Sequence, residues 1–108
     1  MSYQILEATV SETTVAAADT ELDDLCTAAA DLVATESGIR MVCKGSMVVE
    51  QSSVPKTYGL DCDLYEDDEA AMKLLIAQYT GAMTAIEGAS GYTDVTSVKV
   101  RVKFTVIE

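Results

Sequence analysis

The 108-residue sequence contains no histidine, no tryptophan and only one proline. Histidine is the commonest general base and a very common metal ligand, so its absence weighs against many catalytic and metal sites. No apolar run approaches the roughly 18 residues that span a bilayer. Residues 1–4 also lack the basic and apolar regions of a secretory signal. We therefore expect a soluble, cytoplasmic protein.

Positive charge is scarce as well. Seven Lys and Arg residues face 18 Asp and Glu residues, which gives a net charge of −11. A phosphate backbone or an anionic membrane binds basic surfaces, so this balance predicts neither a nucleic-acid nor a membrane partner. The hydrophobic fraction of 49% is too high for a disordered chain of this charge. We expect a single domain over residues 1–108.

The three cysteines, Cys26, Cys43 and Cys62, form no CxxC pair and no metal-ligand spacing. Free cysteine is among the most buried residue types, and a reactive thiol needs a nearby base or cation. We predict three reduced thiols in the core.

Hydrophobic periodicity predicts six elements. Period-two alternation predicts strands at residues 3–10, 39–51, 57–65 and 94–108, and a three-to-four spacing of apolar residues predicts helices at 20–37 and 67–88. Asp19 or Thr20 is the predicted cap of the first helix, and Gly38 its predicted end. Residues 52–56 form a predicted hairpin loop, and closure about residues 53 and 54 would place Cys43 diagonally across from Cys62.

The predicted order is strand, helix, strand, strand, helix, strand. This order resembles the ferredoxin-like α+β sandwich, a βαββαβ two-layer arrangement with a four-stranded antiparallel sheet and two helices on one face. The resemblance implies the strand order fourth, first, third, second. It also implies that one face of the sheet carries no helix.

That open face is the predicted interface. In the implied strand order, positive columns would flank a negative centre, with hydrophobic residues between the charges. Such a face is either a solvated surface that neutralises itself or a docking surface for a second copy or another protein. The predicted interface residues are Ile5, Glu7, Arg40, Val42, Lys44, Asp61, Asp63, Lys99, Arg101 and Lys103.

An acidic run at residues 61–69 is a second, weaker candidate site. Hard cations such as Ca²⁺ prefer several oxygen ligands, and Asp61, Asp63, Glu66 and Asp67 could supply them. The run lacks the glycine and the ligand spacing of an EF-hand loop. The alternative is a solvated strand followed by a helix start that favours negative charge.

The sequence contains no GxSxG, P-loop or GxGxxG motif. We therefore predict a protein that is not an enzyme and needs no cofactor. The expected function is structural: a homo-oligomer, or a subunit of a larger protein array, of which virion accessory components are one example. The alternative is a small regulatory domain that binds a small ligand or a divalent cation, and an enzyme of unknown class ranks third.

Overall fold

The computed structural model describes residues 3–33, 39–52, 56–89 and 94–107. The element order is the predicted βαββαβ. Each boundary lies within five residues of its predicted position, except the carboxyl end of the first helix. The elements are β1 (Tyr3–Glu12), α1 (Val15–Ala30), β2 (Arg40–Gln51), β3 (Lys56–Glu66), α2 (Glu69–Ala89) and β4 (Val95–Ile107).

The four strands form one antiparallel sheet in the order β1-β4-β2-β3. The α+β class and the four-stranded antiparallel sheet are confirmed, but the ferredoxin-like strand order is wrong. Because β1 and β2 are both antiparallel to β4, they run parallel to each other, and α1 connects them with β4 between. Likewise, β3 and β4 are both antiparallel to β2 and therefore parallel to each other, and α2 connects them with β2 between. The centre of the sheet is thus β4 and β2, whereas the ferredoxin-like order places the first and third strands there.

Side-chain burial follows the strand order. On β4, the inward-facing residues from Val98 to Val106 are all 4% exposed or less. On β2, Met41, Cys43, Met47 and Val49 are equally buried. Most inward residues of β1 and β3 pack only partly against the core, as expected for edge strands. The two central strands therefore have the most deeply buried inner sides.

Both helices pack on the same side of the sheet. Residues of α1 and α2 belong to one buried cluster with the inward residues of all four strands. Two hydroxyl hydrogen bonds also join the helices: the Thr80 hydroxyl donates to Asp19 Oδ1 (2.8 Å), and the Thr27 hydroxyl donates to Glu69 Oε1 (2.8 Å). We call the other side of the sheet the outer face.

Helix α1 begins five residues before its predicted start. Its cap is Thr14, whose hydroxyl accepts a hydrogen bond from the Ala17 amide (3.1 Å). The prediction of Asp19 or Thr20 as the cap is wrong. Thr20 lies inside the helix and donates to the Ala16 carbonyl (3.3 Å). The predicted end at Gly38 lies outside the described residues, and the described helix ends at Ala30.

Helix α2 begins after Asp68, whose carboxylate accepts a hydrogen bond from the Ala71 amide (2.7 Å). Tyr79 anchors this helix over β3, because its hydroxyl donates to the Leu60 carbonyl (2.7 Å). Neither described helix is both long enough and apolar enough to cross a membrane.

The predicted hairpin register is confirmed. Cys43 lies opposite Leu64, and Gly45 lies opposite Cys62. Cys43 and Cys62 are therefore diagonal neighbours on the inner side, and all three thiols are free. Residues 53–55 of the predicted loop lie outside the described residues.

Candidate interaction surface

The outer face presents alternate residues of all four strands, and neither described helix lies on it. The strand registers place all ten predicted interface residues on this face. The structure therefore brings them onto one surface, but in a different order from the prediction.

Positive charge lies at the centre of the outer face. One row across the sheet reads Glu7, Lys103, Lys44, Asp63, and the next reads Thr9, Arg101, Ser46, Asp61. The predicted pattern, with positive columns around a negative centre, is wrong. The reason is the strand order: β4 and β2 carry the cations and are central, while β1 and β3 carry the acids at the edges. We call Lys44, Arg101 and Lys103 the cationic centre.

No short ion pair neutralises the cationic centre from within the described part of the chain. The two ion pairs found there are Arg40 with Asp67 (4.0 Å) and Lys73 with Glu69 (3.1 Å). Lys44 and Lys103 lie directly opposite each other instead. Like charges in this position are unfavourable by a few tenths of a kcal/mol, up to about 1 kcal/mol. A partner that supplies carboxylates would relieve this repulsion.

A shallow depression of about 520 Å³ coincides with the cationic centre. It is open to solvent and has none of the enclosed apolar walls that shift the pKa of a catalytic carboxyl group. Its chemistry suits a carboxylate of a partner better than a buried substrate. Its lining residues are Glu7, Ala8, Thr9, Lys44, Arg101, Val102 and Lys103.

One end of the outer face carries exposed apolar and aromatic side chains together with Arg40. Tyr3, Ile5 and Tyr65 have exposed fractions of 64%, 45% and 63%. Ile5 and Tyr65 belong to one row across the sheet, with Thr105 and Val42 between them. We call Tyr3, Ile5 and Tyr65 the apolar end. Tyrosine is enriched in protein interfaces because it combines a large apolar ring with a polar tip.

Sequence reasoning did not include Tyr3 and Tyr65 in the interface. The signal was present, since Tyr3 is two residues from Ile5 and Tyr65 is two residues from Asp63. Period-two alternation places each tyrosine on the same side as its predicted neighbour. What the sequence could not show is that both tyrosines lie at the same end of the face.

The acidic run does not converge on one point. Asp61 and Asp63 lie on the outer face of β3, Glu66 lies on its inner side by alternation, and Asp67 lies beside Arg40. Within the described ranges, no group of three or more acidic or cysteine side chains could hold a metal ion. Asp61 and Asp63 are also exposed, so they lack the apolar cleft that paired catalytic carboxylates use.

The cysteines are unsuited to nucleophilic chemistry. Burial raises the pKa of Cys26 and of Cys43 to about 12, and that of Cys62 to about 11. The thiolate is the nucleophilic form, so these thiols are almost fully protonated near neutral pH.

Comparisons with known proteins add no family to this picture. A scan against protein-family models finds no match to the chain, and a search of curated proteins finds no match either.

Proposed function

We propose that this chain is a non-enzymatic assembly protein that acts as a homo-oligomer or as a subunit of a larger protein array, with the outer face as its contact surface. The observation that carries the proposal is the distribution of exposed apolar side chains. Six large hydrophobic residues are exposed among those described, and four of them lie on the outer face: Tyr3, Ile5, Val48 and Tyr65.

The size of the face supports this proposal. Four strands about 4.8 Å apart, with about 11 residues each at about 3.3 Å per residue, give an area of roughly 700 Å². A standard protein–protein interface buries about 800 Å² on each partner. The outer face is therefore close in size to one such contact.

The arrangement of the face supports it as well. Apolar and aromatic side chains lie at one end, a cationic centre follows, and acidic residues line both edges. A protein partner can match such a mixed surface through apolar burial together with polar contacts. A small-molecule site would instead require an enclosed pocket, whereas the depression at the cationic centre is shallow.

The test measures molar mass by size-exclusion chromatography with light scattering over a range of protein concentrations. We expect the wild-type chain to assemble. The double variant Ile5→Ser with Tyr65→Ser should shift to the monomer, because it removes two of the three side chains of the apolar end without changing charge. The matched control, Ile5→Val with Tyr65→Phe, keeps the apolar surface at the same positions and should still assemble.

Circular dichroism and thermal unfolding check that both variants fold. A wild-type chain that stays monomeric at high protein concentration and high salt contradicts the proposal. Equal assembly of the serine double variant and the control also contradicts it, because the contact surface would then lie elsewhere.

A further inference from the structure

The two layers of the molecule carry opposite charge patterns. Helix α1 contains four carboxylates and no Lys or Arg. Its solvent-exposed side presents Glu21 and Asp24, and Asp31 follows at the cap. We call these three residues the acidic stripe. The exposed side of α2 differs, since it consists mainly of small uncharged residues such as Ala77 and Gly81.

The carboxylates of α1 are crowded. Partial loss of hydration raises the pKa of Glu21, and the nearby Glu12 and Asp24 carboxylates raise it further. Loss of hydration also raises the pKa of Asp23, with a contribution from Asp19. The one cation on the two helices, Lys73, forms its ion pair with Glu69 (3.1 Å). The acidic stripe and the cationic centre are thus two clusters of opposite sign, and the ion pairs of the described residues involve neither of them.

We propose that the outer face of one copy docks on the acidic stripe of a second copy, so that copies associate head to tail. This inference rests on the proposed function and names the partner surface. A two-fold axis through the cationic centre would bring one cationic centre against another, and contact between two α1 helices would bring acid against acid. Contact between the outer face and α1 instead pairs the cationic centre with the acidic stripe.

The positions along the molecule match this arrangement. From Val15, Glu21 and Asp24 lie about 9 and 14 Å along α1 at 1.5 Å per residue. We compare these distances with positions on β1. At about 3.3 Å per residue, points 9 and 14 Å back from Glu12 along β1 correspond roughly to Thr9 and Ala8. Thr9 lies opposite Arg101, and Glu7, which is next to Ala8, lies opposite Lys103. Helix α1 packs against β1 and β4. Stacking without rotation therefore places the cations of β4 over Glu21 and Asp24 of the acidic stripe.

The apolar residues match in the same orientation. Among the residues that the structure describes, two exposed large hydrophobics lie away from the outer face: Leu32 and Leu74, with exposed fractions of 42% and 69%. Leu32 follows the end of α1, and Leu74 lies near the start of α2. The Thr27–Glu69 hydrogen bond joins these two helix ends. This is the end at which β3 leads through Tyr65 into α2, so the apolar end of the next copy would lie over both leucines.

The geometry also determines the type of assembly. The outer face and α1 lie on opposite sides of a two-layer molecule, so each docking event leaves one free surface of each kind. Repeated without rotation, such a heterologous contact builds an open chain and neither a closed ring nor a two-fold dimer.

Charge reversal on the two surfaces tests the inference. The first variant carries Arg101→Glu and Lys103→Glu on the outer face, and the second carries Glu21→Lys and Asp24→Lys on α1. Either variant alone should associate at least roughly tenfold more weakly than wild type, because each brings like charges together at the contact. An equimolar mixture should assemble again, with the two variants alternating. One chain with all four changes should also assemble.

The measurement is molar mass by light scattering in about 0.15 M salt, where a Debye length of about 8 Å screens the overall repulsion between acidic copies. The single variant Glu21→Lys is also compared with Glu87→Lys on α2, because both change net charge by two and Glu87 lies away from the acidic stripe. Glu87→Lys should assemble like wild type. Restored assembly in the mixture shows in addition that both reversal variants are folded.

The outcomes separate this inference from the proposed function. A monomeric wild-type chain contradicts both. A wild-type chain that assembles, together with an α1 variant that assembles equally well, contradicts head-to-tail docking alone and favours contact between two outer faces. A mixture that stays monomeric also contradicts head-to-tail docking.

Discussion

Lys44 and Lys103 lie directly opposite each other at the centre of the outer face, on neighbouring strands β2 and β4. The next residue outward from Lys103 is Glu7, and the next from Lys44 is Asp63. Each lysine thus has one attractive and one repulsive neighbour in its row. The pairing is unfavourable for the isolated chain and favourable for contact with an acidic partner.

We predict a repulsive coupling between these two lysines. A double-mutant cycle with Lys44→Gln and Lys103→Gln should give an unfavourable coupling of about 0.2–1 kcal/mol in low salt. The coupling should shrink as salt screens the charges. The measurement is urea unfolding at a protein concentration where the chain is monomeric. A second cycle with Glu7→Gln and Lys103→Gln should give a coupling of opposite sign, and equal signs in the two cycles would refute the row order.

The cap of α1 offers a matched pair of threonines. Thr14→Ala removes the hydroxyl that accepts from the Ala17 amide, and it should lower the free energy of unfolding by about 1 kcal/mol. Thr20→Ala lies inside the helix, where alanine is the better helix former, so its effect should stay within about 0.5 kcal/mol. Chemical unfolding of the two variants decides the matter. A larger loss of unfolding free energy in Thr20→Ala than in Thr14→Ala would contradict Thr14 as the cap and favour Thr20, as predicted from the sequence.

The hydrogen bond between Thr80 and Asp19 should stabilise the helix pair. Thr80 is 5% exposed, and Thr80→Val keeps its shape while removing the bond to the carboxylate. We expect a loss of about 1–3 kcal/mol in unfolding free energy. Thr84→Val is the control, because the exposed Thr84 hydroxyl bonds only within its own helix (3.1 Å to the Thr80 carbonyl). If Thr80→Val and Thr84→Val lose the same unfolding free energy in thermal or urea unfolding, the Thr80–Asp19 hydrogen bond does not stabilise the helix pair.

The native thiols should react slowly and in a set order. Cys62 is half-buried with a pKa raised to about 11, while Cys26 and Cys43 are buried with pKa values of about 12. Below these values the thiolate fraction rises about tenfold per pH unit, so a disulfide reagent should react faster as pH rises from 7 to 9. We expect Cys62 to react first, and Cys62→Ser to remove the first phase. Cys26→Ser should leave the first reaction phase unchanged. Loss of that phase in Cys26→Ser would contradict the prediction that Cys62 reacts first.

The predictions from sequence succeeded where a pattern is local. Alternation over β4 identified its buried side, from Val98 to Val106, because side chains on a strand point to opposite faces regardless of which strands are its neighbours. The hairpin register followed from symmetric closure of a short loop. The start of α1 was missed because Thr20, Glu21 and Asp23 resemble a capping box, whereas Thr14 is followed by alanines that extend the helix.

The candidate surface was predicted only in part. The ten residues of the predicted interface do lie on one face, since alternation assigns each to a side of its own strand. Their arrangement was wrong because it depends on which strands pair. Tyr3 and Tyr65 are 62 positions apart in the chain, and only the antiparallel pairing of four strands brings them to the same end.

The sequence by itself determined six elements, the buried side of each strand and the segregation of five of seven cations onto two strands. These properties depend on the repeat lengths of helix and strand and on the burial of apolar side chains. The tertiary structure alone decided that β4 and β2 are central, and hence that the cations lie in the middle with the acids at the edges. Strand order depends on the competition between pairings distant in sequence, and the alternation within any one strand carries no information about which strands become its neighbours.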